Sequence, residues 1–372
     1  MSYILATVSS TILLAASLST NLLGASIIKV PTTRVSRCEF RVEPLKTLKY
    51  AHSEATCIND HGEIVGVYGK VFMGWEGDYF FKHSFLISTN GELKTLDLPP
   101  ITPSGLRINN ASQIAGTTLI NDRATGFLWD PEKGITFIES LGGRHTKVLG
   151  LNDLGQVVGY SETGKKSKFT RLPVRHAFVW ENGKTKDLGT LQSRPGLEGD
   201  MSEAIAINNL GEIVGMSNYM VEAYGTKKIA AAKPFYWNGI MQAISCGGKP
   251  VAINNKSKVA LTGLHESFIW SPHKGAEYLI PYISAIDLND NDMLLSISTK
   301  IANAFPVHDE VVYYQNGKSY RGITFVNANP KFRFIDFITF NKINNRNEAV
   351  GRGPIEGLNE LQACVLKPIN TP

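Results

Sequence analysis

What this chain lacks narrows its class before any motif is read. No long stretch of helical period runs through its 372 residues, and glycine is frequent at 34, which favours an all-β protein of many short strands. No Cys-x-x-Cys occurs among the four cysteines, Cys38, Cys57, Cys246 and Cys364, so a zinc site of that spacing is not suggested. Gly-x-Ser-x-Gly and His-Glu-x-x-His are both missing, which removes the exposed-serine elbow and the zinc-protease helix. The formal net charge is only +5 and does not by itself point to nucleic acid. No metal or cofactor is called for.

Two stretches imitate ligand loops and fail on chemistry. Gly159-Tyr-Ser-Glu-Thr-Gly-Lys165 is followed by Lys166 where a phosphate loop needs Ser or Thr, and no helix follows. The spacing Asp287, Asn289, Asn291 opens like a calcium loop, but Asp292 stands where glycine belongs and Ser298 where the bidentate Glu belongs.

What is present is one phrase, cleanest at Ala204-Ile-Ala-Ile-Asn-Asn-Leu-Gly-Glu-Ile-Val-Gly215. Six worn copies begin at Ile58, Ile108, Leu151, Ile253, Leu288 and Ile343. Each reads as a hairpin, β-branched on both sides, with a turn opened by Asn59, Asn109, Asn152, Asn208, Asn254, Asn289 or Asn344. The turn glycine survives in three copies. Asn and Asp tolerate the left-handed backbone it leaves, whereas Ser112 and Ser257 do so less readily, so the second and fifth copies are expected to turn differently.

Each repeat reads as four strands, a to d. In the third, a is 148–151, b is 156–160, c is His176-Ala-Phe-Val-Trp180 and d is 185–191. The spacing of the Asn residues runs from 35 to 56, too irregular for a stacked solenoid and suited to propeller blades, whose loops can lengthen freely. The expected fold is therefore an all-β, seven-bladed β-propeller of four-stranded blades, one domain over residues 38–367. The last repeat stops after strand c, and 40–48 looks like a strand d, so an N-terminal strand is expected to complete the last blade by pairing with 361–367. Cys38 and Cys364 would then flank neighbouring strands and are the disulfide candidates. Residues 1–25 read as a signal peptide, apolar or small from Ile4 with a small-residue stretch at Leu23-Gly-Ala25, though no Lys or Arg precedes the apolar core. The alternative is an uncleaved membrane anchor, for which the length suffices. The expected location is exported: extracellular, cell surface or periplasmic, with no membrane span in the mature chain once the signal is cleaved.

The copies, with His176-Ala-Phe-Val-Trp180 and Leu188-Gly-Thr-Leu191, resemble the bacterial HAF-repeat proteins over most of residues 50–366. The resemblance implies export and a repeat-built β fold. It brings no catalytic residue.

Side chains with chemical potential each have a structural reading. His83 and His176 open c strands in repeats too far apart to share a metal, and read as edge histidines bonded to backbone. Trp129, Phe178, Trp180, Phe235, Trp237, Phe268 and Trp270 could stack sugars, but at repeated strand positions they read as core between blades. Asn110-Ala-Ser112 and Asn255-Lys-Ser257 fit glycosylation acceptors and are repeat turns.

Strand order sets the a–b and c–d turns on one side of the disc and the longer b–c and d–a loops on the other, the expected binding face. Its candidates are Trp75 and Tyr79 of the first repeat, Lys165, Lys166, Lys168, Arg171 and Arg175 of the third, and Tyr224, Lys227 and Lys228 of the fourth. Adjacent basic loops suit an anionic glycan or a protein's acidic surface. A binding module is the first functional expectation. A polysaccharide-acting hydrolase or lyase, with carboxylates facing across the central channel mouth, is the alternative.

Overall fold

The computed structural model describes residues 39–45, 52–73, 79–168, 170–192, 199–223, 226–264, 266–281, 283–302, 305–315, 318–320, 324–325, 339–354 and 361–368. Among them there is no helix, and so none long and apolar enough to cross a membrane. The proposed signal peptide lies outside the described residues.

Six antiparallel four-stranded sheets follow one another in chain order. The third consists of Thr146–Leu151, Val157–Lys166, Pro173–Glu181 and Lys184–Gly189, the four strands its sequence pattern predicts. A further sheet of five strands runs in the order Thr324–Phe325, Glu39–Pro44, Leu361–Pro368, Ala349–Pro354, Thr339–Ile343. Within it the N-terminal and C-terminal strands pair antiparallel, from Phe40 opposite Pro368 to Pro44 opposite Cys364. Lys367 and Glu43 add an ion pair at 3.1 Å.

Local chemistry explains the repeated hairpin. In every copy the first Asn accepts, through Oδ1, the N–H groups two and four residues on; for Asn208 these are Leu210 at 3.0 Å and Glu212 at 2.9 Å. That pair of bonds over-determines the turn, and it corrects the expectation for the serine copies. Ser112 and Ser257 adopt φ of 57° and 59°, and their N–H groups bond back to Asn109 and Asn254 at 3.1 Å, as Gly211 does to Asn208. The small cost of a left-handed serine is outweighed by the Asn bonds on either side of it.

Most a strands carry a β-bulge. Leu149 is the unpaired residue between Val148 and Gly150, and Ile205 between Ala204 and Ala206. A bulge re-aims the extra side chain, and here both border the central channel. The phrase's closing glycine answers a close approach: a Cβ on Gly215 would stand 1.9 Å from Glu203 O and 2.8 Å from the Phe235 ring.

The core lies between neighbouring sheets. Val158 and Ala177 of the third pack with Ile213 and Phe235 of the fourth. Ala55 and Phe85 of the first pack with Val350 and Val365 of the terminal sheet. Phe85, Phe127, Phe178 and Phe235 are fully buried, each contributing about 1.5–3 kcal/mol. Trp180 is buried, while Trp129, Trp237, Phe268 and Trp270 are half-buried against the same clusters, so the strand-c aromatics serve the core.

Candidate functional site

The inner strands surround a channel with two different mouths. The mouth on the a–b turn side is closed down by two circles of hydrogen bonds. In the first, the Nδ2 of each leading Asn reaches the backbone oxygen of the next: Asn59 to Asn109, Asn109 to Asn152, Asn152 to Asn208, Asn208 to Asn254, Asn254 to Asn289, Asn289 to Asn344, and Asn344 back to Asn59, all at 2.9–3.0 Å. The second circle runs from the next residue's N–H to the following copy's Oδ1, from Asp60 to Asn110 and round through Asp153, Asn209, Asn255, Asp290 and Asn345 to Asp60, at 2.7–2.9 Å. These residues border a narrow space of about 180 Å³.

This use of the leading Asn was missed from sequence, where it read only as a turn residue. Its presence in all seven copies was the available signal. Aspartate could make the turn, but only an amide can also donate to the next backbone oxygen.

Besides Asp287 of a neighbouring a strand, which also borders the space, three turn carboxylates, Asp60, Asp153 and Asp290, stand on this mouth. Each Oδ1 of these three accepts a backbone N–H, and each Oδ2 accepts two Asn amides; for Asp153 these are Asn110 at 3.0 Å and Asn209 at 2.7 Å. Oxygens so engaged are not placed for proton transfer to a substrate. The same bonds occupy Asn110 and Asn255, the two glycosylation look-alikes. The calcium look-alike is likewise spent on structure: Asp287 pairs with Lys342 at 2.7 Å and accepts the N–H of Ile343 at 2.9 Å. Among the described residues no three His, Cys, Asp or Glu side chains converge as metal ligands.

The opposite mouth, on the b–c and d–a loop side, is a funnel of about 570 Å³. Leu149 and Ile205, bulge residues of the third and fourth sheets, form part of its floor, and Arg107 borders both the funnel and the channel below. The only partner of the Arg107 guanidinium among the described residues is Leu106 O at 3.0 Å. On the wall, Glu54 accepts Arg352 at 3.1 Å and the Asn341 amide at 3.0 Å, and its side chain is 13% exposed. The Arg352 Nε is buried and has no hydrogen-bond partner among the described residues. His52, Ser104 and Tyr79 complete the rim, with Tyr79 56% exposed.

The sequence candidates fall in separate places. Tyr79 lines the funnel. Lys165 and Lys166 are exposed on an extended b strand and Lys168 and Arg171 on the turn beyond it, so the expected loop is largely a hairpin. Arg175 is half-buried, lies 4.8 Å over the Tyr160 ring, and donates its backbone N–H to Asp200 O. It borders a separate hollow of about 260 Å³ between the third and fourth sheets, with Ser202, Glu203 and Asn218. Lys227 and Lys228 lie on a strand, opposite Glu222 and Val221. Trp75 and Tyr224 lie outside the described residues. The funnel residues Arg107, Glu54 and Arg352 were not singled out, because they come from three repeats far apart in sequence.

Two further expectations change. His176 binds the Asp187 carboxylate at 2.9 Å, where a bond to backbone was expected. Burial pushes Asp187 up, but the His176 ring, the Gly189 N–H and the charge of Lys165 together hold it below the usual carboxylate range. Cys364, half of the disulfide candidate, is a fully buried free thiol opposite Pro44. Cys38 lies outside the described residues.

No family model and no curated protein matches this chain. Solved structures match it in fold. A streptogramin B lyase aligns over 88% of this chain and 98% of its own, at 9% identity and a TM-score of 0.51. An oligogalacturonate lyase in complex with manganese aligns over 90% and 97%, at 10% identity and a TM-score of 0.51. Likeness at that identity concerns the fold alone, and the fold is an all-β propeller of four-stranded blades.

Proposed function

We propose that the chain is an exported HAF-repeat β-propeller of seven blades, the last completed by the N-terminal strand, and that it binds its partner at the funnel on the b–c and d–a face. Support for seven blades comes from the two hydrogen-bond circles, each with seven members and returning from the last copy to the first. Support for closure comes from the pairing of 40–44 with 364–368. Export rests on the apolar N-terminal sequence and on the repeat resemblance.

The observation that carries the binding reading is the chemistry of the funnel. Ligand pockets are concave, usually 300–1,000 Å³, with few convergent polar groups. This one has two arginines and an aromatic rim. Among the described residues Glu54 is its one carboxylate, already held by Arg352 and Asn341. Glycoside hydrolysis needs a facing pair of carboxylates, so this mouth favours binding over the hydrolase alternative.

The test is a pull-down and glycan-array survey with the full chain. Ser104→Trp, which fills the funnel, is expected to lose the partner. The five-fold change of Lys165, Lys166, Lys168, Arg171 and Arg175 to Ser is expected to keep it. The reverse pattern would move the site to the basic hairpin and overturn the funnel reading.

A further inference from the structure

Resting on the funnel as the binding site, we propose that its ligand is a saccharide bearing a single carboxylate, of the uronic-acid kind, with Arg107 as the anchor at the floor. Three observations point there. Among the described residues the funnel's fixed charges are Arg107 and Arg352 against Glu54, an excess of one positive charge. Glu54 and Arg352 hold each other at 3.1 Å, which leaves Arg107 as the cation without a carboxylate partner among the described residues. A guanidinium presents a planar fork that matches a carboxylate in two parallel hydrogen bonds.

The rest of the wall suits a sugar. The Ser104 hydroxyl and the Asn341 Oδ1, whose amide nitrogen is spent on Glu54 and Ala55 O, offer groups for hydroxyl pairing, and exposed Tyr79 offers a ring to the apolar side of a pyranose. The Glu54 carboxyl, held by Arg352 and the Asn341 amide, stands at the wall as an acceptor-bearing group that discriminates against ligands with two or more negative groups. Glu54 is thus a selectivity residue, and it also positions Arg352.

The experiment is calorimetric titration of the full chain with a glucuronic-acid disaccharide, its neutral methyl ester and glucose 6-phosphate. The acid is expected to bind, the ester to bind about 10–100-fold more weakly, as loss of a charged hydrogen-bonded pair implies, and the doubly charged phosphate to bind more weakly than the acid. Arg107→Gln should erase the preference for acid over ester. Glu54→Gln should raise phosphate affinity relative to acid.

Equal binding of acid and ester, or an acid preference that survives in Arg107→Gln, overturns the carboxylate assignment while leaving the funnel as the site. Stronger binding of the phosphate than of the acid overturns the monoanion assignment. Acid binding that persists in Ser104→Trp overturns the funnel itself. No binding of any of the three probes overturns the saccharide assignment, and the partner survey then stands alone.

Discussion

Asn110→Asp changes one atom type in the second hydrogen-bond circle and tests the logic of the whole ring. The Asn110 amide nitrogen stands 3.1 Å from Asp60 Oδ2 and 3.0 Å from Asp153 Oδ2, donating to both. The substitution puts an oxygen between two carboxylate oxygens. Two like charges at ~3 Å and an effective dielectric of ~20 repel by about 5 kcal/mol, so the new carboxyl takes up a proton instead. Holding that proton at pH 7 against a reference pKa near 3.9 costs about 4 kcal/mol, which caps the repulsion. The protonated acid can donate to only one of its neighbours, and the lost bond adds about 1.5–3 kcal/mol. The expected destabilisation at pH 7 is about 6 kcal/mol.

The sign with pH follows from linkage. The folded-state pKa of the new carboxyl is raised above its unfolded value, so the folded variant binds more protons and gains stability as pH falls. The gain is about 1.4 kcal/mol per pH unit and levels off near pH 4. Asn110→Ala adds no charge but loses both donors and the Oδ1 that accepts the Asp60 N–H at 2.9 Å, so its cost should change much less with pH. Urea unfolding of the three proteins from pH 4 to 7.5 is the assay. The cost of Asp should fall by about 4 kcal/mol from pH 7 to pH 4, where Asp should be better than Ala. A cost for Asn110→Asp that does not change with pH, or is under 1 kcal/mol at pH 7, would refute the reasoning.

Other measurements probe other parts of the fold. Gly215→Ala forces a Cβ against Glu203 O and the Phe235 ring, and should cost about 3 kcal/mol or more in urea unfolding, whereas Gly91→Ala, in open space at φ 81°, should cost about 1–2 kcal/mol. Burial raises the Cys364 thiol to about 12 and the Cys246 thiol to about 11, so neither should react with a thiol reagent at pH 8 until denaturant is added. Asp187 has a folded pKa below its unfolded value. Its contribution is present above about pH 3.9 and is lost as pH falls through the lower folded value. A carboxyl NMR titration should show its midpoint rising in His176→Ala, and an unmoved midpoint would remove the His176 bond as a cause.

The alternation around Asn208 marks a hairpin from sequence because both of its causes are local: the strand period, and Oδ1 bonds that span only two and four residues. The recurrence of that Asn gave the repeat unit and its number of copies for the same reason. The left-handed Ser112 and Ser257 were misread because residue preference was weighed without the neighbouring Asn bonds. The basic stretch 164–175 was read as a loop because its charges hide the hairpin pairing of Lys166 with Pro173.

What the sequence by itself determined is the unit: four strands, a turn held by its own Asn, and a glycine where a strand must come close. Tertiary structure alone decided what the copies do together. The Nδ2 of Asn344 finds the backbone oxygen of Asn59 across 285 positions, and Arg107, Glu54 and Arg352 meet at one funnel from three repeats. No local preference encodes those meetings. They arise because sheets packed face to face through their apolar residues bring the inner strands of distant repeats together, and only that packing sets their side chains around a common channel.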